Sequence, residues 1–289
     1  DLQKTIKKYR LELLFINDGS SDDTLTMIQR EAKKNSSIAY VNLSRNFGKE
    51  AGMLAGFDYA KGDAVVIIDA DLQDPPELIP QMIELWEQGY DDVYARRRSR
   101  QGETWLKKKT SEWYYRILQK STRIPIQRDT GDFRLLDRRC IEALRLLRES
   151  QRNTKAMFSW IGYKKKEIFY DRDPRIAGET KWNYRKLINL AIDGITSFTT
   201  APLRIASVFG LFVSCLAFCY ILYLVIRPLF GVPTGAGYSS LMAVILFLGG
   251  VQMIFLGIIG EYIGRIFNET KQRPLYLIEE YHQAHDKKQ

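Results

Sequence analysis

Short apolar runs alternate with longer amphipathic ones through the first 170 residues. "LELLFIN" (11–17), "IAYVNLS" (38–44), "AVVIID" (64–69) and "DDVYARR" (91–97) are rich in β-branched and aromatic residues, and each reads as a strand. The segments between them predict helices. "SDDTLTMIQREAKKN" (21–35) opens on acidic residues, "GKEAGMLAGFDYAKG" (48–62) ends on glycine, and "PPELIPQMIELWEQG" (75–89) starts with proline. This rhythm predicts an α/β unit with a mostly parallel sheet and helices on both faces. A basic helical stretch (102–121) follows, then "RDTGDFRLLDRR" (128–139), a helix to about Ser150, and a further strand in "KKKEIFY" (164–170). "KWNYRKLINLAIDGITSF" (181–198) is amphipathic, either lying on a membrane surface or packed on the domain, and "YLIEEYHQAHDKKQ" (276–289) reads as a short surface helix with a frayed tail.

The pattern then changes character. Residues 205–226 hold no charge in 22 positions and residues 238–260 none in 23. At 1.5 Å per residue each extends roughly 33 Å, against about 30 Å of bilayer hydrocarbon, so two transmembrane helices are expected. Between them "RPLFGVPTGAG" (227–237) carries one arginine, while Arg185, Lys186 and Arg204 precede the pair and Arg265, Lys271 and Arg273 follow it. By the positive-inside rule the large N-terminal part and the C-terminus are expected to face the cytoplasm. The expected division is a domain over 1–180, a juxtamembrane helix over 181–200, a two-helix hairpin over 201–267 and a tail over 268–289.

Composition changes this picture little: 45% hydrophobic and 27% charged residues are ordinary for a globular chain. The net charge of +9 is uneven, with eleven Lys/Arg against two Glu between Arg96 and Arg128. Beside two membrane spans, such a patch points to anionic headgroups or a phosphorylated ligand rather than to nucleic acid. Cys140, Cys215 and Cys219 form no metal or disulfide framework.

The chemistry gathers where strands end. In "DADLQD" (69–74), Asp74 before Pro75 is accounted for as a helix cap, whereas Asp69 and Asp71 serve no folding purpose. Two carboxylates two residues apart, with no His or Cys nearby, suit one hard cation, Mg²⁺ or Mn²⁺, completed by waters and substrate phosphates. "FINDGSSDDT" places Asp18 at another strand end, where it can accept hydrogen bonds from a base or ribose. In "NFGKEAG" a Gly-Lys turn with Lys49 opens a helix, a contact for a nucleotide. In open α/β sheets, ligands bind beyond these strand ends.

Together, "INDGSSDDT", "SRNFGKEAGMLAGFDYAKGD", "DADLQDPPE", "RRRSRQGE", "TGDFRLLDRR" and "RIAGETKWNYRKLINLAIDGITSFTTAPLR" resemble the inverting family-2 glycosyltransferases of GT-A (Rossmann-like) fold. The two-span layout is similar to the bacterial polyprenyl-phosphate glycosyltransferases of the GtrB type, relatives of dolichol-phosphate mannose synthase. The resemblance implies a nucleotide-sugar donor, a polyprenyl-phosphate acceptor and transfer of one sugar, with glucose from UDP-glucose the first choice. GDP-mannose, UDP-N-acetylglucosamine and UDP-amino-arabinose remain open, as do a non-catalytic nucleotide-binding scaffold and a homo-oligomer. A processive synthase is disfavoured, because no Trp follows an Arg as its Q-x-x-R-W motif requires.

Carried over position by position, the resemblance puts Asp18 at the base or ribose, Asp69 and Asp71 at the metal and diphosphate, and Gln73 on the donor side. Asp132 stands at the catalytic carboxylate, Arg134 beside it on the same strand face, and Arg97, Arg100, Arg175 and Lys181 at phosphates. Asp132 is expected to position groups rather than to act as a base, since a phosphate acceptor is already largely dianionic at neutral pH. The family usually begins with an apolar strand bearing P-x-Y-N-E, which this sequence starts after, so an incomplete base pocket around Asp18 is expected.

Overall fold

The computed structural model describes residues 6, 8–71, 73–98, 130–170, 200–226, 230 and 237–284. The chain divides into two compact units, Asp1–Gln119 and Arg123–Tyr184 with Arg273–Gln289, and Lys120–Thr122 with Arg185–Gln272.

The first unit follows the predicted rhythm: β1 (Leu13–Asn17), α1 (Thr24–Lys34), β2 (Ile38–Leu43), α2 (Lys49–Tyr59), β3 (Ala64–Ile67), α3 (Ile79–Glu87), β4 (Asp92–Arg97), β5 (Thr130–Asp137), α4 (Arg138–Leu146), α5 (Thr154–Trp160) and β6 (Lys165–Tyr170). β1 and β2 pair in parallel, as a crossover through α1 requires. The second sheet, ordered β3-β5-β4-β6, is mixed. β5 runs antiparallel between β3 and β4, which are therefore parallel to each other across it, as their link through α3 demands. The parallel rhythm thus holds for the strands it was read from; the antiparallel member enters from outside that rhythm. The α/β class stands, with a sheet more mixed than expected.

One expectation is overturned. The segment read as a surface helix contains β7 (Ile278–His282), antiparallel to β2. Its polar residues are engaged by the sheet. Tyr40 Oη donates to Glu280 at 2.5 Å, Tyr40 stacks on His282, and Tyr276 Oη donates to Asp58 at 2.6 Å. Arg273–Gln289 belongs to the first unit.

Packing fixes the strand ends. α2 buries Ala55 with Val41 and Leu43 of β2, and Leu54 and Phe57 with Leu136 of β5 and Ile141 and Leu144 of α4, while Met82 of α3 packs with Phe133, Leu135 and Ile168 of the second sheet. At about 25 cal/mol per Å², each such buried side chain contributes about 1.5–3 kcal/mol. Gly19, just past β1, has φ +62°, and a Cβ there would lie 2.4 Å from both Arg45 C and Asn46 N. Only glycine permits that approach. Gly19→Ala is expected to cost about 2 kcal/mol or more, read as a lowered melting temperature.

In the second unit, α6 (Ala201–Ile226) and α7 (Tyr238–Thr270) are packed together through an edge-to-face contact of Phe209 and Phe255. Both expose large apolar side chains, among them Leu211, Phe218, Phe247 and Ile254. A soluble surface does not carry such a patch. Ser240–Thr270 is long and apolar enough to cross a membrane, and Ile205–Tyr220 is a shorter apolar stretch. The helix read over 181–198 and the basic stretch 102–121 lie outside the described residues.

Candidate active site

The carboxyl end of β1 leads directly into Asp18. Its Oδ1 accepts from Phe47 N (2.7 Å) and its Oδ2 from Gly48 N (2.8 Å). These are charge-assisted bonds to backbone, and they pin the turn whose Gly48, at φ +95°, starts α2. The two motifs around Asp18 and Lys49 are therefore one physical unit. The sequence reading put Asp18 at a base or ribose; here it also positions the residue that follows its partner.

That residue is Lys49. Its Nζ lies 2.8 Å from Asp69 Oδ2 and 2.6 Å from Asp132 Oδ2, joining the end of β3 to the start of β5. Burial pulls the Lys49 ammonium down, but the hydrogen bonds it donates to Asp132 and Asp69, and their charges, outweigh it and hold the pKa above that of free lysine. Asp132 is shifted the other way. Burial pushes its carboxyl up, yet the charge of Lys155, the hydrogen bond and charge of Lys49 and the charge of Arg134 together bring it below the ordinary carboxylate range. Its side chain is only 10% exposed. Its Oδ1 is buried and has no hydrogen-bond partner among the described residues. A buried, charged, half-satisfied carboxylate beside a lysine is a candidate functional group.

Asp71 accepts from Gln73 N at 3.1 Å, shaping the turn after Asp69. Gln73 itself is buried beneath that turn. Asp69 and Asp71 fit a hard divalent cation by donor chemistry. No cluster of three or more His, Cys, Asp or Glu side chains able to hold a metal is formed among the described residues. Arg97 ends β4 with its Nη2 against Gly131, next to Asp132, so this basic position is brought to the site. Arg100, Arg175 and Lys181 lie outside the described residues.

Arg134 corrects the sequence reading. It is fully buried, its Nη1 3.0 Å from Asp92 Oδ2 and its guanidinium 3.7 Å from the Phe158 ring centroid. Strand alternation rightly puts it on the face of Asp132, but two residues deeper, in the core, where it props the fold and sends its charge toward Asp132. It is a positioning residue.

Two contributors escaped the sequence. Lys155 is the strongest of the charges that lower Asp132. Thr154 donates both its backbone N–H (2.8 Å) and its hydroxyl to Glu50 Oε2, tying the start of α5 to α2 beside Lys49. The only local signal was Asn153, whose side chain caps α5 by accepting from Ala156 N at 3.2 Å.

A mixed α/β sheet with an Asp-x-Asp turn, and a lysine that bridges it to a buried carboxylate, is compatible with a glycosyltransferase, and comparison with known proteins shows that class. The pattern of Glycosyl transferase family 2 matches residues 2–145, and that of the GtrB C-terminal hairpin matches residues 201–266. An uncharacterized glycosyltransferase of Synechocystis is 50% identical over 272 residues, covering 94% of this chain and 85% of the relative. A SfII prophage-derived bactoprenol glucosyl transferase of Shigella flexneri is 46% identical over 280 residues, covering 96% and 90%. A prophage bactoprenol glucosyl transferase homolog of Escherichia coli is 46% identical over 273 residues, covering 94% and 89%. The chain belongs to glycosyl transferase family 2, and its C-terminal hairpin is of the GtrB type.

Proposed function

We propose that this glycosyltransferase moves a single glucose from UDP-glucose to a polyprenyl phosphate, with inversion, at the cytoplasmic face of a membrane that α6 and α7 both span. The observation that carries the reading is the Lys49 bridge, which couples the donor-side carboxylate Asp69 to Asp132 at one strand-end crevice. The names of the bactoprenol-directed relatives support the acceptor, and the apolar hairpin supports a lipid-soluble one.

In this reading an oxygen of the acceptor phosphate attacks the anomeric carbon, and the bond from that carbon to the donor diphosphate breaks. The nucleoside diphosphate leaves with the electron pair. No proton has to be removed, because the second pKa of a phosphate monoester is about 6. Asp132 holds Lys49 toward the reacting phosphates, and Arg97 adds positive charge there. A divalent cation held by Asp69 and Asp71 would neutralise charge on the departing diphosphate.

The test is transfer of radiolabelled sugar from a panel of UDP- and GDP-sugars into undecaprenyl phosphate, with Mg²⁺, Mn²⁺ or EDTA. Label is expected in lipid from UDP-glucose and is expected to vanish with EDTA. Label from another donor alone would replace the sugar and keep the class; no lipid label from any donor would reject the acceptor.

A further inference from the structure

Two adjacent residues at the start of α2 serve different partners. Lys49 bonds to Asp69 and Asp132, and Glu50 bonds to α5. Glu50 Oε2 accepts both the backbone N–H (2.8 Å) and the hydroxyl of Thr154, a residue with no exposed surface. The other end of α5 is held as well. Lys165 Nζ donates to Phe158 O, and the Arg134 guanidinium lies 3.7 Å from the Phe158 ring centroid. A helix of seven residues has little stability of its own, so these contacts fix where it sits.

What α5 carries toward the site is Lys155. Thr154 N is taken by Glu50 and Ala156 N by the Asn153 cap, so the helix offers a side chain here and not its backbone end. Lys155 is exposed, and its ammonium makes no hydrogen bond or ion pair within reach among the described residues. Lys49 differs in this respect, since two carboxylates share it at 2.8 and 2.6 Å. Lys155 therefore brings an uncommitted positive charge toward Asp132.

The reaction has a use for such a charge. Asp132 is ionised and the acceptor phosphate is mostly dianionic at neutral pH, so bringing them together sets like charges side by side. Lys49 is already engaged with Asp69 of the Asp-x-Asp turn. We propose that Lys155 is a further catalytic residue whose ammonium binds the phosphate of the lipid acceptor, and that Glu50 is the positioning residue that holds it beside Asp132. The inference rests on the lipid-phosphate reading of this site. Neither Lys155 nor Glu50 is among the positions that the family resemblance assigns. The first turn of α2 then serves both substrates, Lys49 reaching the donor-side carboxylate and Glu50 holding the cation for the acceptor.

The experiment measures steady-state transfer from UDP-glucose to undecaprenyl phosphate in neutral detergent by the full chain, varying each substrate in turn. Lys155→Met is expected to lower kcat/KM for the acceptor about tenfold or more, the loss of one charged hydrogen bond, while KM for UDP-glucose stays within about twofold. Lys155→Arg is expected to recover most of that loss. Lys33→Met, on the exposed surface of α1, removes the same charge elsewhere and is expected to change neither constant. Glu50→Ala is expected to lower acceptor kcat/KM about threefold or more, and to add nothing in a Lys155→Met background, because it acts through Lys155. If Glu50→Ala does not fold, Thr154→Val removes only the hydroxyl donor and carries the same expectation.

A Lys155→Met protein with the kinetics of wild type would overturn the inference. An equal or larger rise in KM for UDP-glucose would assign the ammonium to the donor diphosphate and also overturn it. So would a loss in Lys33→Met that matches Lys155→Met, which would reduce the effect to bulk charge. A further loss from Glu50→Ala on top of Lys155→Met would overturn the positioning role of Glu50. Wild type that transfers sugar to no lipid phosphate would instead reject the functional reading on which the inference rests.

Discussion

Asp132→Asn is expected to lower the transfer rate by about 10²- to 10³-fold, and by the same factor from about pH 6 to about pH 9. The substitution keeps the shape of the side chain and removes the charge that holds Lys49 at 2.6 Å. Because the surrounding cations depress the Asp132 pKa, the carboxylate is ionised throughout that range and makes a poor proton acceptor. Titration then belongs to the acceptor phosphate: both enzymes are expected to gain activity as pH rises through about 6 and to level off together. A pH–rate profile of the two proteins checks this. A defect that shrinks as pH rises would return Asp132 to the role of general base.

The second large effect concerns stability. Arg134→Met is expected to destabilise the first unit by about 3–5 kcal/mol, because it leaves Asp92 buried without its main counter-charge. Burial already pushes the Asp92 carboxyl up, against the charges of Arg134 and Lys165. Lys165, 3.9 Å away, compensates only part of the loss. A double variant, Arg134→Met with Asp92→Leu, is expected to recover much of the melting temperature, since a buried pair replaced by apolar groups is often nearly neutral. Thermal melting with activity measured on the folded fraction distinguishes the roles. An Arg134→Met protein that melts like wild type yet transfers no sugar would make Arg134 a catalytic group after all.

The sequence was most informative where periodicity and chemistry coincide. The strands from Leu13 to Arg97 were readable from their apolar runs, and Asp18, Lys49 and Asp69 stood out as carboxylates and a lysine at strand ends, whereas Asp132 was singled out only by the family resemblance. The structure then adds what one dimension hides. Arg134 has the right parity but the wrong depth, and no local pattern distinguishes a strand position at the crevice from one two residues inside the core. Lys155 is an ordinary surface lysine by its neighbours in sequence, and only the folding of α5 brings its charge toward Asp132. β7 was mistaken for a helix because Glu279, Glu280 and His282 look like a solvated face. Their partners, Asn42, Tyr40 and the Tyr40 ring, are more than two hundred residues earlier.

The late arrival of β7 also sets an order of events at the ribosome. A growing chain makes β2 early and leaves one edge of it open while the whole of α6 and the 33 residues of α7 are still to be synthesised. An open edge invites pairing with other chains. Domains that emerge first normally fold first, but this one lacks its final strand until the apolar hairpin has been made. The β2 edge of the first sheet is therefore completed last in biogenesis. A chain stalled within the hairpin carries Asp69 and Asp132 but lacks the strand that closes the β2 edge.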